Sequence, residues 1–271
     1  MDKRPIGVFD SGLGGLTAVR ELRRILPGED IVYFGDTGRV PYGTRSRETI
    51  LQYTRQDLAF LLSRDVKFIM AACGTVSSTY PTEEAARLPA PFTGVLGAAC
   101  RAAAAATRTG RIGVVGTPAT IRSGSYARLL EQLVPGVQIT ARPCALFVPL
   151  VENGRVQPGD PVTTLVAHDY LDEVRDAGVD TLIMGCTHYP LLEPFIREVM
   201  GPDVTLIDPG RETALATRDA LEGLGLSSGR SEGGAAEYFV SDTAESFDAA
   251  AHLFLGRYAG GPVTQVPIET W

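Results

Sequence analysis

The sequence predicts an α/β protein with two similar doubly wound lobes, mainly parallel sheets related by a pseudo-twofold axis, and an active site between them. Short apolar runs alternate with segments of helical spacing, the pattern of strands joined by crossover helices. The pattern also repeats: Ile112 lies 106 positions after Ile6, and Cys186 lies 113 positions after Cys73. Because ligands bind at the carboxyl ends of parallel strands, both cysteines are expected at the site.

The first lobe is predicted to contain four strands separated by helices. Its first strand runs into a glycine-rich turn at 10–15, and the helix after it has leucine, valine and isoleucine at helical spacing until Pro27-Gly28. The predicted strands are residues 6–9, 31–34, 68–73 and 92–96, and the predicted helices are 16–25, 46–63 and a stretch through Ala86.

The second lobe is predicted to repeat this order, and the last quarter of the chain is expected to return to the first lobe. The predicted bounds are 1–97 plus 208–271 for the lobe with Cys73, and 98–207 for the lobe with Cys186. The later predicted strands are 111–116, 137–140, 182–186, 204–207, an edge strand at 237–240 and a tail strand at 263–268, with helices at 169–177, 212–223 and 246–255.

Composition and charge exclude several classes of function. Of the 271 residues, 44% are hydrophobic and 21% are charged, which is ordinary for a globular protein. The net charge of −7 argues against nucleic-acid and anionic-membrane partners. The apolar runs are too short to span a bilayer, and the first residues lack a signal-peptide pattern. We therefore expect a cytoplasmic location.

Four cysteines are present, and their spacing favours free thiols over a metal site. None forms a CxxC pair, so zinc binding is poorly supported. Cys73 and Cys186 follow equivalent strands and precede small polar residues, whereas Cys100 and Cys144 are interpreted as buried and inert. Two thiols that flank one carbon atom could remove its proton from one face and return a proton to the other, which would invert a stereocentre.

Three motifs resemble the glutamate racemases of the aspartate/glutamate racemase superfamily. They are GVFDSGLGGL at 7–16, PYG at 41–43 and GCTHYPLL at 185–192, and the resemblance runs from about residue 5 to residue 256. It implies a cofactor-independent, metal-free racemase that works through two cysteines and supplies D-glutamate for peptidoglycan. It also implies an amino-acid substrate and leads us to expect a homodimer.

The resemblance also assigns roles to residues. Cys73 and Cys186 match the acid/base pair, with Cys73 serving the D-enantiomer and Cys186 the L-enantiomer. Asp10 and His188 match groups that assist the thiols, and Glu152 matches a further acidic residue. Without the resemblance, each residue also has a purely structural interpretation. Asp10 could be a turn residue that caps the next helix, His188 a histidine at a helix start, and Glu152 a solvated loop carboxylate. Substrate contacts are expected from Ser11, Pro41, Tyr42, Gly43, Gly74, Thr75, Thr117, Thr120 and Thr187.

The chain departs from the family pattern at three positions, which leaves other functions open. Gly74 stands where the family has Asn, Gly97 where it has an acidic or amide residue, and Pro209 where it usually has Ser. One alternative is a racemase for another amino acid, for which Gly74 would make room. A second is a weakly active paralogue with a binding role. A cysteine hydrolase is a third, although it would leave Cys73 without a role.

Overall fold

Two parallel sheets form the centre of the protein. The structure, a computed structural model, describes residues 1–271 apart from the side chains at 246, 248 and 249. A six-stranded sheet draws its strands from both ends of the chain, and a four-stranded sheet draws its strands from the middle. All of the strand pairs described are parallel. The predicted fold class is therefore confirmed.

The first part of the chain builds most of the six-stranded sheet and its helices. Short 3₁₀ turns at Thr37–Arg39 and Tyr42–Thr44 lie between β2 and α2. The elements are β1 (Ile6–Asp10), α1 (Leu16–Ile25), β2 (Ile31–Gly35), α2 (Arg47–Ser63), β3 (Phe68–Ala71), α3 (Gly74–Thr79), α4 (Thr82–Ala85), β4 (Phe92–Gly94) and α5 (Val95–Ala106).

The middle of the chain builds the four-stranded sheet, and the last part returns to the first sheet. The middle elements are β5 (Arg111–Gly116), α6 (Pro118–Ser123), α7 (Ser125–Leu133), β6 (Gln138–Pro143), α8 (Phe147–Glu152), α9 (Pro161–Asp176), β7 (Thr181–Gly185), α10 (Glu193–Met200) and β8 (Thr205–Ile207). The last elements are α11 (Pro209–Gly223), β9 (Ala236–Val240), α12 (Ala244–Leu255) and β10 (Val263–Gln265).

The strand orders reproduce the sequence repeat. The first sheet contains the order β2-β1-β3-β4 and the second has β6-β5-β7-β8, so β1 matches β5 and β3 matches β7. The matched strands are central and buried, which explains their nearly continuous apolar sequences. Cys73 and Cys186 thus follow equivalent central strands of the two sheets.

One predicted sheet position and two predicted element bounds are wrong. Residues 237–240 are not an edge strand, because Ala236–Val240 pairs with β2 on one side and with β10 on the other. The helix predicted from residue 169 begins at Pro161, where the Asp160 carboxylate accepts hydrogen bonds from the first-turn backbone N–H groups. The strand predicted to reach residue 96 ends at Gly94, and α5 begins at the next residue.

The helices between the sheets join the lobes. Helix α11 packs against α1 and α5, and Cys100 of α5 is buried beside Ile112 and Ile183 of the second sheet. One hydrophobic cluster includes Val8 of β1 and Val115 of β5. This packing brings the carboxyl ends of the central strands together, while the domain bounds at 97/98 and 207/208 stay a prediction. No helix in the described part of the chain has the length and apolar character needed to cross a membrane.

Candidate active site

A cavity of about 310 Å³ lies where the central strands of the two sheets end. Cys73 and Cys186 both line it, as do Asp10, His188 and Glu152. Of the residues predicted to contact substrate, all but Thr120 line it as well: Ser11, Pro41, Tyr42, Gly43, Gly74, Thr75, Thr117 and Thr187. The fold therefore brings together residues from distant parts of the sequence, and their individual roles remain predictions.

On the first lobe, the Cys73 thiol is buried beside a hydroxyl and a carboxylate. Its residue is 4% exposed, and its Sγ–H donates to Ser11 Oγ at 3.4 Å. Burial and the neighbouring charge of Asp10 raise the pKa of Cys73 to about 12, although its hydrogen bond with Ser11 opposes the shift. In the unliganded protein this cysteine is consequently a thiol at neutral pH.

Asp10 ends β1, and only one of its carboxylate oxygens is paired. Oδ2 accepts from the backbone N–H groups of Gly12 at 3.2 Å and Gly15 at 3.0 Å, which fixes the glycine-rich turn. Oδ1 is buried and has no hydrogen-bond partner among the described residues. Burial raises the pKa of Asp10, and the charge of His188 opposes that rise. The free oxygen can accept a proton or bind an ammonium group inside the cavity.

On the second lobe, a histidine lies between the Cys186 thiol and a carboxylate. His188 Nδ1 is 3.8 Å from Cys186 Sγ and 3.3 Å from Thr187 Oγ1, and Nε2 is 3.2 Å from Glu152 Oε1. Burial alone would lower the pKa of His188, but hydrogen bonds to Cys186 and Glu152 raise it to about 10. His188 is thus an imidazolium at neutral pH, and its positive charge lies beside the Cys186 thiol.

Two contacts that fix the imidazole ring escaped the sequence analysis. A Cβ on Gly14 would lie 2.4 Å from His188 Cε1, so only glycine fits there. The Phe254 ring of α12 packs edge-on against the imidazole at a centroid distance of 5.4 Å. The glycine-rich turn could have signalled the first contact, whereas nothing near Phe254 in the sequence signals the second.

Threonines and the 41–44 loop form the opposite wall of the cavity. Thr75 Oγ1 and Thr117 Oγ1 lie 3.3 Å apart across the lobes, and Thr117 Oγ1 donates to Thr120 Oγ1 at 3.0 Å. Thr120 is buried behind Thr117 and does not line the cavity. A Cβ on Gly43 would lie 3.3 Å from Thr117 Cβ, so the loop of the first lobe reaches the second lobe.

Gly74 does not leave an empty subsite. A Cβ built on Gly74 would lie 2.7 Å from the carbonyl oxygen of Gly185, on the strand that precedes Cys186. The alternative that Gly74 makes room for a different substrate is therefore not favoured, because backbone of the second lobe lies where the first side-chain atom would go.

The other lining residues are small, apolar or backbone groups that the motifs did not identify. They are Gly12, Val40, Thr44, Pro118, Ala145, Val148, Pro149 and Gly185. No lysine or arginine lines this cavity within the part of the chain that is described. No group of three or more histidine, cysteine, aspartate or glutamate side chains in that part could hold a metal ion.

A second, larger groove lies away from this chemistry. It measures about 780 Å³ and is bordered by Arg45, Arg47, Arg122 and Arg128, but by neither Cys73 nor any of the other three cysteines. The volume of a cavity consequently does not identify the active site in this protein. The clustering of titratable side chains in the smaller cavity is the better criterion.

Comparison with known sequences agrees with this geometry. The family model described as Asp/Glu/Hydantoin racemase matches residues 6–217. A glutamate racemase from Geobacter metallireducens is 45% identical over 269 residues, which cover 99% of this chain and 98% of the relative. A glutamate racemase from Syntrophus aciditrophicus is 45% identical over 257 residues, which cover 95% of this chain and 94% of the relative.

Solved structures give the same result. Glutamate racemase from Francisella tularensis in complex with D-glutamate has a TM-score of 0.91 and 36% identity, with all of both chains covered. Glutamate racemase from Thermus thermophilus in complex with β-chloro-D-alanine has a TM-score of 0.89 and 40% identity, again with full coverage. The resemblance read from the three motifs is confirmed, and the chain belongs to the Asp/Glu/hydantoin racemase family.

Proposed function

We propose that the chain interconverts L- and D-glutamate without a cofactor, by proton transfer between two cysteines, and so supplies D-glutamate for peptidoglycan. The observation that carries the proposal is that Cys73 and Cys186 follow equivalent strands and line one cavity, each beside its own assisting group. The glutamate racemases among its relatives, one of them solved with D-glutamate, support the choice of substrate.

The reaction needs one proton removed and one returned. From the L-enantiomer, a Cys186 thiolate takes the Cα proton and becomes a thiol, and the electron pair left on carbon is delocalised into the adjacent carboxylate. The Cys73 thiol then gives its proton to the opposite face of Cα and becomes a thiolate. His188 stabilises the thiolate form of Cys186, and the free Asp10 oxygen receives the proton when Cys73 must act as the base.

The cavity suits a small dicarboxylate amino acid. Its volume of about 310 Å³ is at the low end for small-molecule sites, which favours an amino acid over a larger ligand. Hydroxyl groups of Ser11, Thr75, Thr117 and Thr187 line it and can donate to carboxylates. The Asp10 carboxylate is available for the ammonium group.

The cytoplasmic location and the homodimer stay predictions. A dimer is tested by light scattering across a range of protein concentrations, and the location by fractionation of cells that produce the protein. Neither outcome changes the chemistry proposed at the cavity.

The test is a panel of L- and D-amino acids followed by circular dichroism in D₂O. We expect glutamate to racemise fastest, with deuterium at Cα of the product. Cys73→Ser and Cys186→Ser should each lower kcat by about 10²-fold or more while leaving the melting temperature within a few degrees. The control Cys100→Ala, at a buried thiol outside the cavity, should retain activity. Inversion without deuterium, or faster turnover of another amino acid, would contradict the proposal.

A further inference from the structure

A buried polar cluster lies beneath the 41–44 loop and outside the proposed chemistry. Asp36 and Asp57 are both 0% exposed, and the Tyr42 hydroxyl lies between them. Arg39 Nε donates to Asp36 Oδ2 at 2.7 Å, and its Nη2 donates to Asp57 Oδ1 at 3.1 Å. The Ser241 hydroxyl of the segment after β9 donates to Asp36 Oδ1 at 2.7 Å.

If both aspartates are ionised, the contact between the Tyr42 oxygen and the Asp57 carboxylate has no hydrogen atom to form a hydrogen bond. Tyr42 has a single hydroxyl hydrogen, and its closer partner is Asp36 Oδ2. The Tyr42 oxygen also lies 3.1 Å from Asp57 Oδ2, for which no other hydrogen-bond partner is described. With both carboxylates ionised, two oxygen atoms would face each other with no hydrogen between them. A proton on Asp57 Oδ2 completes a chain from Asp57 to Tyr42 to Asp36.

The charges lead to the same conclusion. Two ionised carboxylates and one guanidinium would leave a net negative charge in a site closed to water, which is costly. A proton on Asp57 makes the cluster neutral, with Asp36 and Arg39 as its ion pair. Asp10, at the end of β1, adds a further negative charge near Asp57. Burial and the charge of Asp36 raise the pKa of Asp57 well above its ordinary value, and Arg39 and the hydrogen bond with Tyr42 only partly oppose them.

We propose that Asp57 is held as a neutral carboxylic acid that donates to Tyr42, and that it is thereby a positioning residue for the loop that walls the substrate cavity. Tyr42 and Gly43 of this loop line the cavity, and Gly43 meets Thr117 of the other lobe. The kinetic consequence rests on the proposed racemase function, whereas the protonation state of Asp57 does not.

The test exploits the opposite hydrogen-bonding needs of the two aspartates. In Asp57→Asn the amide oxygen accepts from Arg39 and the amide N–H donates to Tyr42, so the chain survives. Asp36 accepts hydrogen bonds from Tyr42, Arg39 and Ser241 through both of its carboxylate oxygens. In Asp36→Asn one of these oxygens becomes an amide NH₂ group, which cannot accept and would face a donor. The same chemical change is thus expected to be tolerated at one position and harmful at the other.

The kinetic readout is KM and kcat for both enantiomers of glutamate. Asp57→Asn should keep KM within about threefold of the wild type, and Asp57→Ala and Asp36→Asn should raise it by about tenfold, with a smaller change in kcat. Should Asp36→Asn fail to fold, the comparison of the two Asp57 variants still decides. Equal damage from Asp57→Asn and Asp57→Ala overturns the proposal.

The second readout is independent of activity. The infrared difference spectrum between the wild type and Asp57→Asn at neutral pH should contain a carboxylic-acid carbonyl band from the wild type. A carboxylate band in its place overturns the proposal even if both proteins are active. If the wild type does not racemise glutamate, the proposed function fails, and the infrared band still decides the state of Asp57.

Discussion

Restoring the family's residue at position 74 should damage this protein. A Cβ on Gly74 would lie 2.7 Å from the Gly185 carbonyl oxygen, so the two backbones must separate by about 0.7 Å to reach an ordinary contact of 3.4 Å. Overpacking of this kind costs about 1–3 kcal/mol. Because Gly74 begins α3 of the first lobe and Gly185 ends β7 of the second lobe, the strain is relieved most easily by moving the lobes apart. That movement also separates the strand ends that carry Cys73 and Cys186.

The assay compares Gly74→Ala and Gly74→Asn with the wild type in thermal unfolding and in kcat/KM for both enantiomers. The melting temperature should fall by about 2–4 °C for each kcal/mol lost. A sub-ångström displacement of the acid/base pair should lower kcat/KM by about tenfold or more. The Asn variant should be at least as impaired as the Ala variant, although Asn is the family's usual residue there.

Gly97→Ala is the matched control, since Gly97 is also a helical glycine at a departure from the family pattern. A Cβ there meets only the Arg101 guanidinium at 3.3 Å, and that group can move. This variant should be as stable as the wild type or more stable by up to about 1 kcal/mol, with unchanged kinetics. A Gly74→Ala protein that matches the wild type in both measurements would refute the reasoning about lobe contact.

Two further predictions concern the surroundings of His188. Because the pKa of His188 is raised to about 10, its interaction with Glu152 stabilises the fold fully below the ordinary value of 6.5, and this stabilisation is lost as pH rises through about 10. Glu152→Gln should therefore lower the free energy of unfolding at about pH 6, by less than about 1 kcal/mol because Glu152 is half exposed, and the difference should vanish above pH 10. A difference that grows with pH in urea titrations contradicts this sign. Gly14→Ala places a methyl group 2.3 Å from Thr187 Oγ1 and 2.4 Å from the imidazole ring, so kcat/KM should fall by about 10²-fold; unchanged rates would show that the ring position is unimportant.

The repeat made the location of the cysteines predictable from sequence. Parallel strands joined by helices allow few topologies, and in each of them equivalent strand ends lie at the same edge of a sheet. The helix predicted at 16–25 has these bounds in the structure, because its apolar spacing and the Pro27-Gly28 stop are both local signals. Local signals were sufficient for this helix, whereas the start of α9 was missed although its Asp160 cap and Pro161 are also local.

Contacts between distant segments were not predictable in this way. The Gly185 carbonyl that fills the space at Gly74 comes from the other lobe, and its approach depends on how the helices between the sheets pack. The interior position of β9 depends on β10, which was predicted as a tail strand but without β9 as its partner. Asp57 reads as an ordinary polar position within α2, and only the folded loop above it gives the carboxyl group a buried partner.

The two lobes repeat their backbones but not the groups beside their thiols. The position in the second lobe that matches Asp10 is Gly116, and the one in the first lobe that matches His188 is Thr75. A carbon acid must meet a base on one face and an acid on the other, so two identical environments would leave both thiols in the same protonation state. The Asp10 carboxyl group lies beside Cys73 and raises its pKa, whereas the imidazole of His188 lies beside Cys186. The backbone symmetry therefore places the two cysteines, and their unequal neighbours supply the difference between acid and base that the proposed mechanism requires.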